Sequence, residues 1–284
     1  MIIGIVGLGL IGGSLALSLR RAGYFVVGKN RSSAPLEYAL SHGVIDEASD
    51  DVSGCDVVFV ALPPKAAADY ICTAPFKTDA VVADICGVKR YIEREVLSRR
   101  HSLKYVGTHP MAGKEVSGVE NACANLFDNA SMVLTSNIYT DECAYSLIKK
   151  LVKDIGFKRL VECSAEVHDQ KIAYTSQLAH IVSNCYVKDG QIEGCLGFTG
   201  GSFQDMTRIA GVDENVWTEL YLANADKLAG NVRTLARHLS EVASAIEAGE
   251  SEPLKNLLKS GREQFEDQKN NSFQGKDIVT TLLK

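Results

Sequence analysis

The chain has 284 residues, 46% of them hydrophobic and 23% charged, which suits a globular protein with a buried core and excludes bulk disorder. Thirty Lys and Arg against 35 Asp and Glu leave a net charge of −5. That excludes a general nucleic-acid binder, whose phosphate contacts want a basic surface.

The first half alternates between two periods. Ile2–Val6 is a short β-branched run and reads as a buried strand. A helical pattern over 11–22 follows and ends at Gly23, after Arg20 and Arg21. In order come a strand at 25–28, a helix at 35–41, a strand at 57–62, a helix at 65–71, a strand at 80–85, a helix at 90–99 and a strand at 105–107. Strands at 131–135 and 158–163 flank a helix over 141–154. Beyond residue 164 the strand-like runs stop, and helices are expected at 165–188, 215–248 and 253–268. The tail, 270–284, reads as a docked segment or a short helix. The expected architecture is an α/β, doubly wound, mainly parallel domain over 1–164, then an all-α domain over 165–284.

Eight scattered cysteines form no CxxC pair, so neither a metal site nor a disulfide framework is read from them. Reduced thiols and a cytoplasmic location are expected. No signal-peptide pattern leads the chain, and no apolar run nears the roughly 20 residues of a membrane helix.

The run Gly7, Leu8, Gly9, Leu10, Ile11, Gly12 joins the first strand to the first helix. A GxGxxG in that setting is the Rossmann fingerprint for a dinucleotide. Each glycine has a reason: a tight turn, backbone approach to the pyrophosphate, and close packing of helix on strand. The second strand ends in Lys29, Asn30, Arg31, Ser32 and Ser33, with no carboxylate for the ribose 2′-hydroxyl of NAD. Arg31 with Ser32 and Ser33 is therefore read as a 2′-phosphate site, with Asn30 counted among the cofactor residues, making NADP the expected cofactor and NAD the alternative. Leu62 and Pro63, after the third strand, are counted with the cofactor residues.

Of six histidines, His42, His101 and His238 read as surface residues. His109 stands at the end of a strand, where doubly wound folds bind ligands, and could serve as a general base. From position alone, a buried structural histidine is an equal reading. Runs at 84–89, 108–113, 176–180 and 200–210, with His168-Asp169 and the Gly7–Gly12 loop, resemble the prephenate/arogenate dehydrogenase family in order and combination. The resemblance spans residue 2 to about 248. It implies oxidative decarboxylation of a cyclohexadienol, prephenate being expected and arogenate the alternative. It also implies catalysis by His109 and a substrate carboxylate clamped by Arg208. By the same resemblance His180, Glu115, Asp205 and Gly87 contact substrate, and the helical domain forms a homodimer.

His168 and Asp169 are expected as structural partners, Arg208 as partly buried, and Trp217 as core or pocket wall. The chain departs from the family pattern at Gly87, where a serine is common, leaving Cys86 or a water to substitute. It departs again at Lys114, which replaces a small hydroxyl residue, and at Gln177, which replaces a histidine. Competing readings are another NADP-linked dehydrogenase of the same layout, such as a pyrroline-carboxylate reductase or a β-hydroxyacid dehydrogenase, the latter's catalytic lysine run being missing near Lys171 or Lys188, and a non-catalytic NADP-binding protein. At this length no fused mutase or ligand-sensing domain is expected.

Overall fold

The computed structural model describes residues 1–188, 190–195, 197–270 and 278–283. Strand and helix alternate at first: β1 (Ile2–Val6), α1 (Leu10–Arg21), β2 (Phe25–Lys29), α2 (Ser33–Ser41), β3 (Glu47–Ala48), β4 (Val57–Val60), α3 (Pro64–Thr73), β5 (Val81–Asp84), α4 (Arg90–Arg99) and β6 (Lys104–Met111). Then come β7 (Ser131–Thr135), α5 (Glu142–Ile155) and β8 (Arg159–Cys163). The sheet order is β3-β2-β1-β4-β5-β6-β7-β8, with a last strand, β9 (Val279–Leu282), beside β8. Strands β1 to β6 pair in parallel, β7 runs antiparallel to β6, and β8 is parallel to β7.

Both faces of the sheet are covered, which is why its strands read as continuous apolar runs. Alternate side chains serve opposite faces. Ile3, Ile5, Val57 and Phe59 pack with Leu15 and Leu19 of α1 and Ile148 and Leu151 of α5. Val58, Val60 and Val82 pack with Ala67 and Ile71 of α3 and Ile92 and Val96 of α4. Helix α5 is closed at both ends: Asp141 accepts the N–H of Ala144, and Gly156 takes a left-handed φ of 105°.

The second half is helical: α6 (Ala165–Ile172), α7 (Leu178–Tyr186), α8 (Gly201–Thr207), α9 (Glu214–Ala223), α10 (Ala225–Glu247) and α11 (Ser251–Asn270). The helix expected over 165–188 is interrupted by a π-helical turn, Ala173–Gln177. The one expected over 215–248 breaks at Asn224, whose φ of −126° leaves the helical region. There the Asn224 amide donates to the Asp169 carbonyl (2.9 Å) and to Gln177 Oε1 (2.8 Å), tying three helices together. Helix α8 and strand β3 lie outside the sequence expectation. The tail returns to the sheet as β9 (Val279–Leu282), antiparallel to β8, so this part of it docks as a strand rather than a helix. Among the described residues no helix is long and apolar enough to cross a membrane.

Candidate active site

The parallel strands deliver their functional residues to one edge of the sheet. Gly7 follows β1, Asn30 follows β2, Leu62 follows β4, Gly87 follows β5, and His109 lies inside β6. The strand order reverses between β1 and β4, the switch point where open α/β sheets hold ligands. Gly7 has a φ of 97°, and a Cβ there would strike the Ala61 carbonyl. A Cβ on Gly12 would strike the Gly7 carbonyl, while Gly9 faces open space. No side chain caps α1, so its first N–H groups and positive end are presented toward that space. The loop is braced by Asn30, whose Oδ1 accepts the Leu8 N–H (3.0 Å) and whose amide donates to the Ser32 carbonyl (3.2 Å). Leu62 accepts the Cys86 thiol at its carbonyl (3.1 Å), which ties the loop carrying Leu62 and Pro63 to the end of β5. This chain's residues fit a dinucleotide: open space over Gly9, uncapped helix donors, and a braced glycine turn.

The residues after β2 differ in how they are held. Lys29 is turned away, donating to the Asp50 carbonyl, with its ammonium 5.9 Å from the Tyr70 ring centroid. Arg31 is exposed, and among the described residues it makes no ion pair. Ser32 opens α2 without a side-chain cap bond.

His109 begins a chain of three side chains. Its Nδ1 lies 2.8 Å from His168 Nε2, and His168 Nδ1 lies 2.7 Å from Asp169 Oδ1. Asp169 is fully buried and also accepts the backbone N–H groups of Lys89 (2.8 Å) and Arg90 (3.0 Å). Burial alone would raise its pKa, but those bonds and His168 outweigh it and hold the carboxyl below its usual range. Burial lowers His168, opposed by its bond to Asp169. Burial, then the charges of His168 and Lys89, push His109 well below the usual imidazole value.

These directions assign the tautomers. A carboxylate can only accept, so His168 donates from Nδ1 and keeps a lone pair on Nε2. His109 then donates from Nδ1, which leaves its Nε2 bare. A Cβ built on Gly87 would stand 3.9 Å from that nitrogen. So His168 and Asp169, expected as structural partners only, orient His109. Sequence reasoning missed this because the contact joins residues 59 apart.

Behind His109 lies a buried ion pair. Lys89 donates to Asp84 and to the Thr108 carbonyl (2.6 Å). Tyr105 donates to the other Asp84 oxygen (2.6 Å). The Cys86 thiol is buried and committed to Leu62, so it does not stand in for the serine absent at Gly87.

Beyond the end of β6, a cleft of about 670 Å³ opens between residues 113–117 and the helical domain. Lys114, Glu115, His180, Arg208, Asp213 and Trp217 are on its wall. The volume is in the range of small-molecule sites. Arg208 pairs with Glu115 across 93 residues. Its side chain is 64% exposed, against the expected partial burial, because α8 buries none of its residues. His180 donates from Nδ1 to the Ile209 carbonyl (3.1 Å) and lies 4.0 Å from Trp217 between ring centroids. Burial pushes its pKa down. Asp205 is exposed on α8 and is not on this wall, nor are His109, inside β6, and Gly87, after β5.

Residues 15–161 match the family model described as the nucleotide-binding domain of prephenate dehydrogenase, and 164–260 match its dimerization domain. The chain belongs to the prephenate dehydrogenase family. It is therefore an oxidoreductase with a nucleotide-binding domain. It is 30% identical over 276 residues to prephenate dehydrogenase of Bacillus subtilis, covering 91% of this chain and 74% of that protein. The structure of prephenate dehydrogenase from A. aeolicus, solved with hydroxyphenyl propionate and NAD+, is similar at a TM-score of 0.81 and 27% identity. That match covers 94% of this chain and 98% of the other. Synechocystis arogenate dehydrogenase is similar at a TM-score of 0.77 and 28% identity, covering 94% and 99%.

Proposed function

We propose that this enzyme converts prephenate to 4-hydroxyphenylpyruvate by oxidative decarboxylation, as a cytoplasmic homodimer, with NADP preferred over NAD. The observation that carries the reading is the bare Nε2 of His109, fixed by the chain to His168 and Asp169 at the cofactor edge of the sheet. Bound dinucleotide supplies the hydride acceptor. His109 Nε2 takes the ring hydroxyl proton as hydride leaves the same carbon. The ring carboxylate departs as carbon dioxide, its electron pair makes the ring aromatic, and the resulting phenolate oxygen takes the proton back from His109. Arg208 offers a planar, two-pronged grip on a substrate carboxylate, exchanging Glu115 for it. The free Arg31 and the uncapped start of α2 support NADP.

Arogenate is the second reading, and one observation favours it. With Nδ1 committed to Ile209, neutral His180 presents a lone pair on Nε2, which suits an ammonium donor. Initial rates with both substrates, each crossed with NADP+ and NAD+, test both readings. Prephenate-dependent NADPH formation as the fastest combination is expected. A faster arogenate rate installs the second reading, and no reduction with either substrate refutes the function.

A further inference from the structure

Among the described residues, the cleft wall carries four charged side chains: Lys114, Glu115, Arg208 and Asp213. Three have partners. Glu115 and Arg208 hold each other, and Asp213 caps α9 by accepting the N–H groups of Asn215 (2.9 Å) and Val216 (3.1 Å). Lys114 differs: no described carboxylate pairs with it, and its ammonium donates to the Cys123 thiol at 3.2 Å. A thiol is a weak acceptor and leaves the charge uncompensated. Cys123 is itself anchored, its N–H donating to Ser14 Oγ of α1 (3.1 Å). The ammonium is thus anchored on the first domain's side, on a residue that shares the cleft wall with His180 and Arg208.

Resting on the reading above, the substrate brings two carboxylates to a chain of net charge −5. Arg208 can grip one. His180 has its only neutral donor spent on Ile209, so it cannot hold the other without a proton. We propose that Lys114 receives the carboxylate of the substrate's side chain and, by the same charge, sets the preference for an α-keto acid over an α-amino acid. A keto oxygen beside that carboxylate tolerates the ammonium, whereas an α-ammonium is repelled by it.

The test uses the full enzyme and its variants Lys114→Ala, Lys114→Arg and Lys114→Glu. Initial rates are measured with prephenate and arogenate at saturating dinucleotide, and with dinucleotide varied. Lys114→Ala is expected to raise the prephenate KM about tenfold, the scale of one charge-assisted hydrogen bond. Lys114→Arg restores it, Lys114→Glu moves the kcat/KM ratio further toward arogenate, and the dinucleotide KM stays put. A substrate ratio unmoved by Lys114→Ala and Lys114→Glu overturns the proposal. So does a raised dinucleotide KM with unchanged substrate KM, which assigns Lys114 to the pyrophosphate, or a wild type that prefers arogenate. A wild type inactive on both substrates overturns the functional reading as well.

Discussion

His109 is set apart from the other histidines by what stands behind it. His168 and Asp169 fix its tautomer much as an aspartate fixes the histidine of a hydrolase triad, with one more ring in the line. Because burial and the neighbouring charges lower its pKa from 6.5, the basic form persists below that pH. The acid limb of kcat is expected to fall with a midpoint below 6.5. His168→Phe should cost about 10²-fold in kcat with little change in KM, the low end of general-base contributions. It should also move the acid limb, since His168 is the group that faces His109 Nδ1. A pH–rate profile of the variant checks both; an unmoved limb with full kcat denies the orienting role. At the cofactor edge, Arg31→Ala should weaken NADPH binding roughly tenfold or more and leave NADH nearly untouched. Titration with both dinucleotides decides it.

At the scale of elements, Arg90 is the joint between the sheet domain and the helices. From the start of α4 its guanidinium reaches Asp169 in α6 (3.3 Å), Asn224 before α10 (3.1 Å) and Asp226 within α10 (3.0 Å). Arg90→Ala should lower unfolding free energy by about 1–3 kcal/mol, the cost of leaving such acceptors without a partner, as read by urea denaturation. The strands around this joint were legible in the sequence because a sheet covered on both faces needs apolar runs such as Val57–Val60. The glycine turn was legible because its spacing is local. The break at Asn224 was not, since it depends on an amide reaching Asp169 and Gln177 in other helices. Likewise β9 is paired by β8, more than a hundred residues earlier; its β-branched Val279, Thr280 and Thr281 suit a strand, but so short a run is fixed only by its partner. In the candidate site, it was the resemblance that pointed to His109 and Arg208, whereas the Arg208–Glu115 pair and the donor spent by His180 are products of tertiary contact.

At the scale of the molecule, the helical half has little core of its own: Ala173, Leu178 and Leu228 form its buried cluster. Meanwhile Leu222, Leu239, Ile246 and Leu258 are each at least 60% exposed on α9, α10 and α11. That apolar surface, in a segment matching a dimerization domain, is expected to be buried between two copies. Light scattering after gel filtration should return twice the chain mass, and Leu239→Lys with Leu258→Lys should shift it toward a single chain. A wild-type mass of one chain would contradict the homodimer.

The central claim is that His109 Nε2 removes the substrate proton. It is tested most directly by kcat of His109→Asn, measured beside its dissociation constants for prephenate and NADP+. The account predicts kcat down by at least about 10²-fold with both dissociation constants unchanged. Turnover near the wild-type rate would contradict it.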